Sequence, residues 1–404
     1  MATVLGSTLT WLDYSEQDRR RVLDTVDLFR EKDTRDALGL GTIRDGFADL
    51  LSPGTSTIQT RARYFLLIPW LYKLVEVSGS AKSATARARL AELDLIEALI
   101  EAGDLDGLIG RQARRGLKRL PSDVYWQGLH AWRVRSVPVA RDSYHRWIDD
   151  RVALPDSVSE EGEPVHGIWH AGLPDPPPGF PAEAALTLPP AEADYLAERL
   201  IAHWPNTLLG WLVRDGGSVD QVEFPWLHPE LERMPSRIQE QLHHGRCFSE
   251  AILGAQLLYN LMLARLIYAD HDGPSAPVER WESEIERWEA MVAGRAAMLE
   301  AWDLSHFWEI VASSGAQVSA QTREFVKAWV NHVRSGAGEL RIASDQRCED
   351  WVRSRECWVK KKQARLINKS MLLSWRGESG AQQLSYRWDI TRAYAEEIGR
   401  GRGV

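Results

Sequence analysis

Residues 53–72 read Pro53-Gly54-Thr55-Ser56-Thr57-Ile58-Gln59-Thr60-Arg61-Ala62-Arg63-Tyr64-Phe65-Leu66-Leu67-Ile68-Pro69-Trp70-Leu71-Tyr72. Pro-Gly marks a turn. Ser56-x-x-Gln59 has the spacing of a capping box, in which two side chains satisfy the free backbone donors at a helix start. The stretch therefore predicts a helix with Ile58, Ala62 and Phe65 on one face, bent at Pro69, whose ring removes a hydrogen bond. The apolar run Tyr64–Val75 is too short to span a bilayer, which takes about 20 mostly apolar residues, and it contains Pro69 and Lys73. It reads as a core helix.

Outward from this stretch the same helical pattern recurs. Ser15-x-x-Asp18 opens a stripe of Val22, Val26 and Phe29. Gly39, Gly41 and Gly46 end one helix and open another that carries Ile43, Phe47 and Leu50. Ala84–Ala102 is helical on propensity. Further helices are predicted over Ala191–His203, Ser236–His244, Ser249–Ala269, Glu279–Trp302, Gln321–Ser335 and Arg347–Ser374. Ala251–Tyr268 reaches spanning length but holds Gln256, Asn260 and Arg265, so it too reads as buried and no membrane is implied. Partial alternation at Val134–Val139, Val219–Phe224 and Leu384–Trp388 predicts a few short strands. The expected class is mainly α, a multi-helix globular protein of two helical lobes. Nine of the 19 prolines fall in residues 155–190, a composition that suits an irregular connector. That gives an N-terminal helical domain 1–154, a Pro-rich connector 155–190 and a C-terminal helical domain 191–404.

The chain of 404 residues has 44% hydrophobic residues and a formal net charge of −8, which excludes a disordered or collagen-like chain. Cys247, Cys348 and Cys357 form no C-x-x-C, and Met1–Thr10 lacks a signal pattern, so a reducing cytoplasm is expected. The 18 Trp recur at helical intervals: Trp204 and Trp211, Trp281 and Trp288, and Trp351 and Trp358 are each two turns apart. Trp126 and Trp132, like Trp302 and Trp308, are slightly closer. Repeats of this kind are helix packing more often than base stacking.

Motifs with local chemistry are sparse. His166-x-x-x-His170 and His243-His244 have no third ligand in sequence, so packing histidines are the expectation, with no metal and no cofactor. The glycines near Gly39 follow no strand and precede no Gly-Lys-Ser/Thr, so a nucleotide loop is not implied. There is no Gly-x-Ser-x-Gly. Asp149-Asp150 and Glu396-Glu397 diverge by about 100° on a helix, which no acid/base dyad uses. His145 and Asp149 have the spacing of a helix-face pair.

Three polar regions remain. Thr55, Thr57, Gln59, Arg61 and Arg63 surround a predicted helix N-terminus and could hold an anion; alternatively the hydroxyls cap and the arginines pair with acids such as Asp45 or Asp49. Residues 111–151 carry ten Lys/Arg against four Asp/Glu, including Arg114, Arg115, Lys118 and Arg119. Residues 353–376 carry eight against Glu356 alone, including Lys360, Lys361, Lys362, Arg365 and Lys369. Trp126, Trp132, Trp147, Trp358 and Trp375 are interleaved with them. Cations beside aromatics suit a nucleic-acid backbone with stacked bases. An acidic protein partner or a solvated face fits the same pattern.

Four blocks stand out together: Ser7-Thr8-Leu9-Thr10-Trp11-Leu12-Asp13-Tyr14-Ser15, Thr34-Arg35-Asp36-x-Leu38-Gly39-x-Gly41-x-Ile43-Arg44-Asp45, residues 53–65, and Ser249-Glu250-Ala251-Ile252-x-Gly254-Ala255-x-Leu257-Leu258-Tyr259-Asn260. As a set they resemble a bacterial domain-of-unknown-function family associated with antiviral defence islands. Neighbours there include helicases, phospholipase D-like proteins and DNA methyltransferases. The resemblance implies an accessory component of a multi-gene system acting on foreign DNA, with those neighbours as partners; it transfers no catalytic residue. Three functional readings follow. The first is a non-catalytic adaptor. The second is a nucleic-acid-binding module using residues 111–151 and 353–376, with DNA as ligand. The third is an enzyme with a composite site near residues 55–63.

Overall fold

The computed structural model describes residues 36–78, 81–150, 167–216, 222–269, 275–336 and 338–403. The predicted helix through Val22, Val26 and Phe29 lies outside them, as do His166 and the first part of the Pro-rich segment. The protein is mainly α. Among the described residues the helices are α1 (Gly41–Leu51), α2 (Tyr64–Val77), α3 (Ala84–Glu101), α4 (Pro121–Ala131), α5 (Arg141–Asp150), α6 (Pro190–His203), α7 (Leu208–Asp215) and α8 (Ser236–Ile267). They continue with α9 (Ala276–Ala293), α10 (Ala296–Ala301), α11 (Leu304–Ser313), α12 (Ala320–Ser335), α13 (Gln346–Lys360), α14 (Lys369–Leu372) and α15 (Trp388–Arg402).

No strand occurs among the described residues. Val134–Val139 forms only an isolated antiparallel bridge, Arg135 to Trp169, flanked by Ser136 N–H to Ile168 O at 2.8 Å and His170 N–H to Val134 O at 2.9 Å. Leu384–Trp388 cannot extend because Tyr386 and Arg387 sit at φ +54° and +63°, left-handed conformations that break a pleat. Of the third predicted strand, residues 219–221 lie outside the described residues, and Phe224 leads into a short 3₁₀ turn.

Several helix boundaries also differ from expectation. The helix expected from Ser56 begins only at Tyr64. The capping contact does form, Ser56 N–H to Gln59 Oε1 at 3.0 Å, but it closes a turn. The donors that would continue a helix go elsewhere: Thr60 and Arg61 N–H to Tyr125 Oη, and Ala62 N–H to Glu397 Oε2. The two segments Ser236–His244 and Ser249–Ala269 are one helix, α8. Gly245 is retained inside it because the Tyr386 ring lies against the glycine, and the Tyr386 hydroxyl donates to Gly245 O at 2.6 Å. The expected helix Glu279–Trp302 breaks at Gly294–Arg295, and Arg347–Ser374 breaks at Lys361, held at φ +52°.

Two compact units are present, each assembled from separated stretches. One comprises Ile43–Cys247, Asp303–Gln317 and Ser385–Val404. In it α2, with Tyr64 to Tyr72 buried throughout, packs between α3 and α4, while α15 packs on α6 and α7. Phe65 stacks on Trp132 at 3.9 Å. The described part of the Pro-rich segment has no regular element and lies in this unit: Trp70 donates to Pro174 O, and Trp169 to Glu76. Ile168, Ala184, Leu186 and Leu188 are buried there.

The other unit comprises residues 36–42, Phe248–Trp302 and Val318–Leu384. Trp288 donates to Glu250 O and Trp329 to Ala251 O, both on α8. Gly254 makes room for the Trp288 ring; a Cβ there would lie 2.4 Å from Cζ2. The Trp281–Trp288 pair is thus core packing. α8 is long and apolar enough to cross a membrane by length and composition, yet 89% of its most apolar window is buried within the protein.

Candidate functional site

The polar stretch at residues 55–63 forms a closed network. Thr55 is buried, its hydroxyl donating to Ser52 O, whereas Thr57 is exposed. Gln59 Nε2 donates to Gly54 O, and its Oε1 accepts from Tyr394 as well as from Ser56 N–H. Arg61 meets Glu397 at 3.3 Å and Asp106 at 3.4 Å, and Nη2 donates to Leu186 O. Arg63 forms a bidentate pair with Glu192 and donates through Nη1 to Ala185 O. Asp45 and Asp49 pair with Arg387 instead. Burial pushes the Tyr125 hydroxyl up to about 12 and raises the Glu397 carboxyl, and Glu397 Oε1 is a buried acceptor with no partner. Both arginines therefore face carboxylates of their own chain.

Residues 111–151 likewise spend charge internally. Arg114 pairs with Glu97, Arg115 with Asp94 and Arg141 with Asp123. Lys118 and Arg119 are exposed. Trp126 and Trp132 are core residues, and Trp147 stacks on Tyr144 at 5.5 Å. His145 pairs with no aspartate: its ring meets Thr85 and Tyr72, and burial pulls it down to about 4, so it is neutral. Asp149 accepts from Ala84 N–H and pairs with Arg87.

Residues 353–376 behave differently. Glu356, buried, accepts from Tyr259 Oη at 2.6 Å and from the backbone of Arg365 and Leu366 at 2.8 and 3.0 Å, folding the chain back onto the end of α13. Asn260 anchors the far end, accepting from Trp375 Nε1 and Ser379 N–H. Arg365 is buried with Nη1 donating to Ser379 Oγ, so it stays off the surface. Lys361, Lys362, Lys369 and Arg376 are exposed. So are Trp358 at 47%, Ile367 at 61% and Leu373 at 72%. A pocket of about 610 Å³, lined by Gly39, Arg355, Cys357, Trp358, Val359 and Lys361, opens beside them. Arg355 shapes it, donating to Leu38 O, Gly39 O and Thr322 Oγ1.

One cluster escaped the sequence reading. His332 in the last turn of α12, Asp345 at the N-cap of α13 and Cys348 in its first turn bring one ligand atom each to within 4.8 Å of one another. His332 Nε2 lies 3.5 Å from Asp345 Oδ2. Asp345 Oδ1 caps α13 through Arg347 N–H at 2.9 Å. Burial beside Asp345 pushes the Cys348 thiol up to about 12. A cleft of about 370 Å³ lined by His332, Glu339, Ser344 and Asp345 adjoins it. The signal was available: a histidine ending one predicted helix and an Asp-x-x-Cys opening the next. His170, one of the histidines weighed from sequence, instead contacts Tyr195 and Arg199.

The molecule is thus a helical protein whose polar stretch at residues 55–63 is internally paired and whose segment 358–376 exposes cationic and apolar side chains. The chain belongs to a family of unknown function, DUF6361, whose model matches residues 6–401. No curated protein and no solved structure matches it.

Proposed function

We propose that the protein is a non-catalytic adaptor that docks a partner protein on the face formed by residues 358–376. The observation that carries this reading is that one stretch of chain exposes both Ile367 and Leu373 and Lys361, Lys362 and Lys369. Aliphatic side chains gain nothing from a phosphate backbone, whereas an apolar centre with a charged rim is the composition of a protein interface. The stacking reading is weakened by the burial of Trp126, Trp132 and Trp375, which leaves Trp358 as the exposed aromatic of the two basic segments. The partner chemistry that fits is an acidic segment with apolar side chains.

The setting proposed is that of a cytoplasmic accessory component in a bacterial multi-gene antiviral defence system. It is supported by the resemblance of the four sequence blocks. Helicase, phospholipase D-like or methyltransferase neighbours are the partners such an adaptor would serve, and DNA would be reached through them. The test is recovery of the tagged protein from its native host with and without nuclease. A partner that survives nuclease and is lost from the Leu373→Asp variant is the expected result. DNA cleavage or modification by the purified protein alone overturns the reading.

A further inference from the structure

We propose that His332, Asp345 and Cys348 bind a divalent cation of the zinc class, with a fourth coordination position facing the cleft beside Glu339 and Ser344. This goes beyond the adaptor reading and does not depend on it. The donor set is the first argument. One imidazole nitrogen, one carboxylate oxygen and one thiolate sulfur suit a borderline-soft cation and do not suit magnesium or calcium, which take oxygen.

Geometry is the second argument. Zinc bonds of about 2.0–2.3 Å require tetrahedral donors roughly 3.3–3.7 Å apart. The His332–Asp345 separation is 3.5 Å already, and all three donor atoms lie within 4.8 Å. What remains is for Cys348 Sγ to draw closer to the other two donors. Asp345 is oriented as the cap of α13 by Oδ1, which leaves Oδ2 as the ligand atom. His332 is held by the edge-to-face contact of its ring with Trp351, at 5.6 Å between centroids. Coordination takes Cys348 as thiolate and releases its proton to solvent.

Access is the third. Three protein ligands with an open fourth position resemble sites where water or substrate completes the shell, and the cleft supplies that opening. Two cationic side chains are set against a metal ion: Arg341, which lines the cleft and is 74% exposed beside Glu289, and Arg347, whose Nη2 lies 2.8 Å from His332 Nδ1 and 3.6 Å from Asp345 Oδ2. The Arg347 side chain is 61% exposed and its guanidinium lies over the Trp351 ring, so it can turn outward while α13 stays in place.

The test is Co²⁺ titration of the full chain, followed by absorbance. The expected result is the visible spectrum of tetrahedral cobalt with a near-ultraviolet thiolate-to-cobalt band, saturating at one ion per chain and displaced by Zn²⁺. Cys348→Ser should remove the near-ultraviolet band with unchanged circular dichroism. His332→Gln, which removes a direct ligand, should weaken binding by more than the roughly tenfold that loss of an outer-shell partner costs. Arg347→Ala, at an exposed position, should tighten it. A native protein with no thiolate band overturns the proposal. So does a band that persists in Cys348→Ser, since that places the metal at another cysteine.

Discussion

Arg63 and Glu192 are joined fork to fork, Nε to Oε2 at 2.7 Å and Nη2 to Oε1 at 2.6 Å, with both side chains nearly sealed from water. A third donor, Nη1, is committed to Ala185 O at 2.9 Å. An anion arriving at this turn would have to displace a carboxylate already in ideal bidentate geometry. The pair therefore acts as a clasp between the polar turn and α6, within one unit.

Removing one partner of that clasp strands the other as a buried charge. Arg63→Ala should lower unfolding stability by about 3–5 kcal/mol, read as a shift in the urea midpoint. The double replacement Arg63→Met with Glu192→Leu should recover most of the loss. Equal loss in the single and double variants would show that packing, not charge, is what the pair supplies.

Glu92 gives the fold a pH dependence. It is wholly buried, accepts the N–H and hydroxyl of Ser122 at 2.8 and 2.7 Å, and burial pushes its carboxyl from 4.5 up to about 7. Below pH 4.5 it is neutral in both folded and unfolded chains. Between there and about 7 the unfolded chain ionises first, so stability falls as pH rises, by up to roughly 3 kcal/mol. Urea titrations at pH 5 and pH 7.5 should show that fall in the native protein and a smaller one in Glu92→Gln. A slope unchanged by the substitution would place the effect elsewhere.

Gly39 is required for two separate reasons. It sits at φ +63°, and a Cβ there would lie 2.9 Å from Val359 Cγ2 and 3.0 Å from Arg355 Nη2. Gly103 shares the conformation, at φ +75°, with nothing nearby. Gly103→Ala should cost only the backbone term of about 1–2 kcal/mol. Gly39→Ala should cost clearly more, and equal thermal shifts in the two variants would show that Val359 and Arg355 simply move aside.

Ile367→Asp and Leu373→Asp address the docking face. Because both side chains are mostly exposed, stability should change by no more than about 0.5 kcal/mol, measured by thermal unfolding. Partner recovery should be lost all the same. Loss of partner together with a large fall in melting temperature would mean that the residues are structural.

What was legible in the sequence follows from how far each signal reaches. The helices over residues 84–101, 190–203 and 320–335 were legible because apolar spacing and end signals are local. The start of α2 was not, since the backbone donors of Thr60 and Ala62 are taken by Tyr125 and Glu397, 65 and 335 residues away. No window around Ser56 contains that information. The same reach explains the polar residues. Pairing of Arg61 and Arg63 with acids was one of the two readings, but the partners Glu397 and Glu192 are distant in sequence and could not be picked out from it. The cationic surface at Lys361, Lys362 and Lys369, by contrast, was legible because almost no acid lies near it in sequence.

The segment after α13 hangs from two buried side chains, Glu356 at its beginning and Asn260 at its end. Both bind main-chain groups, Arg365 and Leu366 N–H in one case and Ser379 N–H in the other. Main-chain groups are the same whatever side chain follows, so the outward positions 367, 369 and 373 can be rewritten while their path is kept. The stretch behaves as an exchangeable cassette. A new recognition sequence grafted at those three positions should therefore leave the core alone.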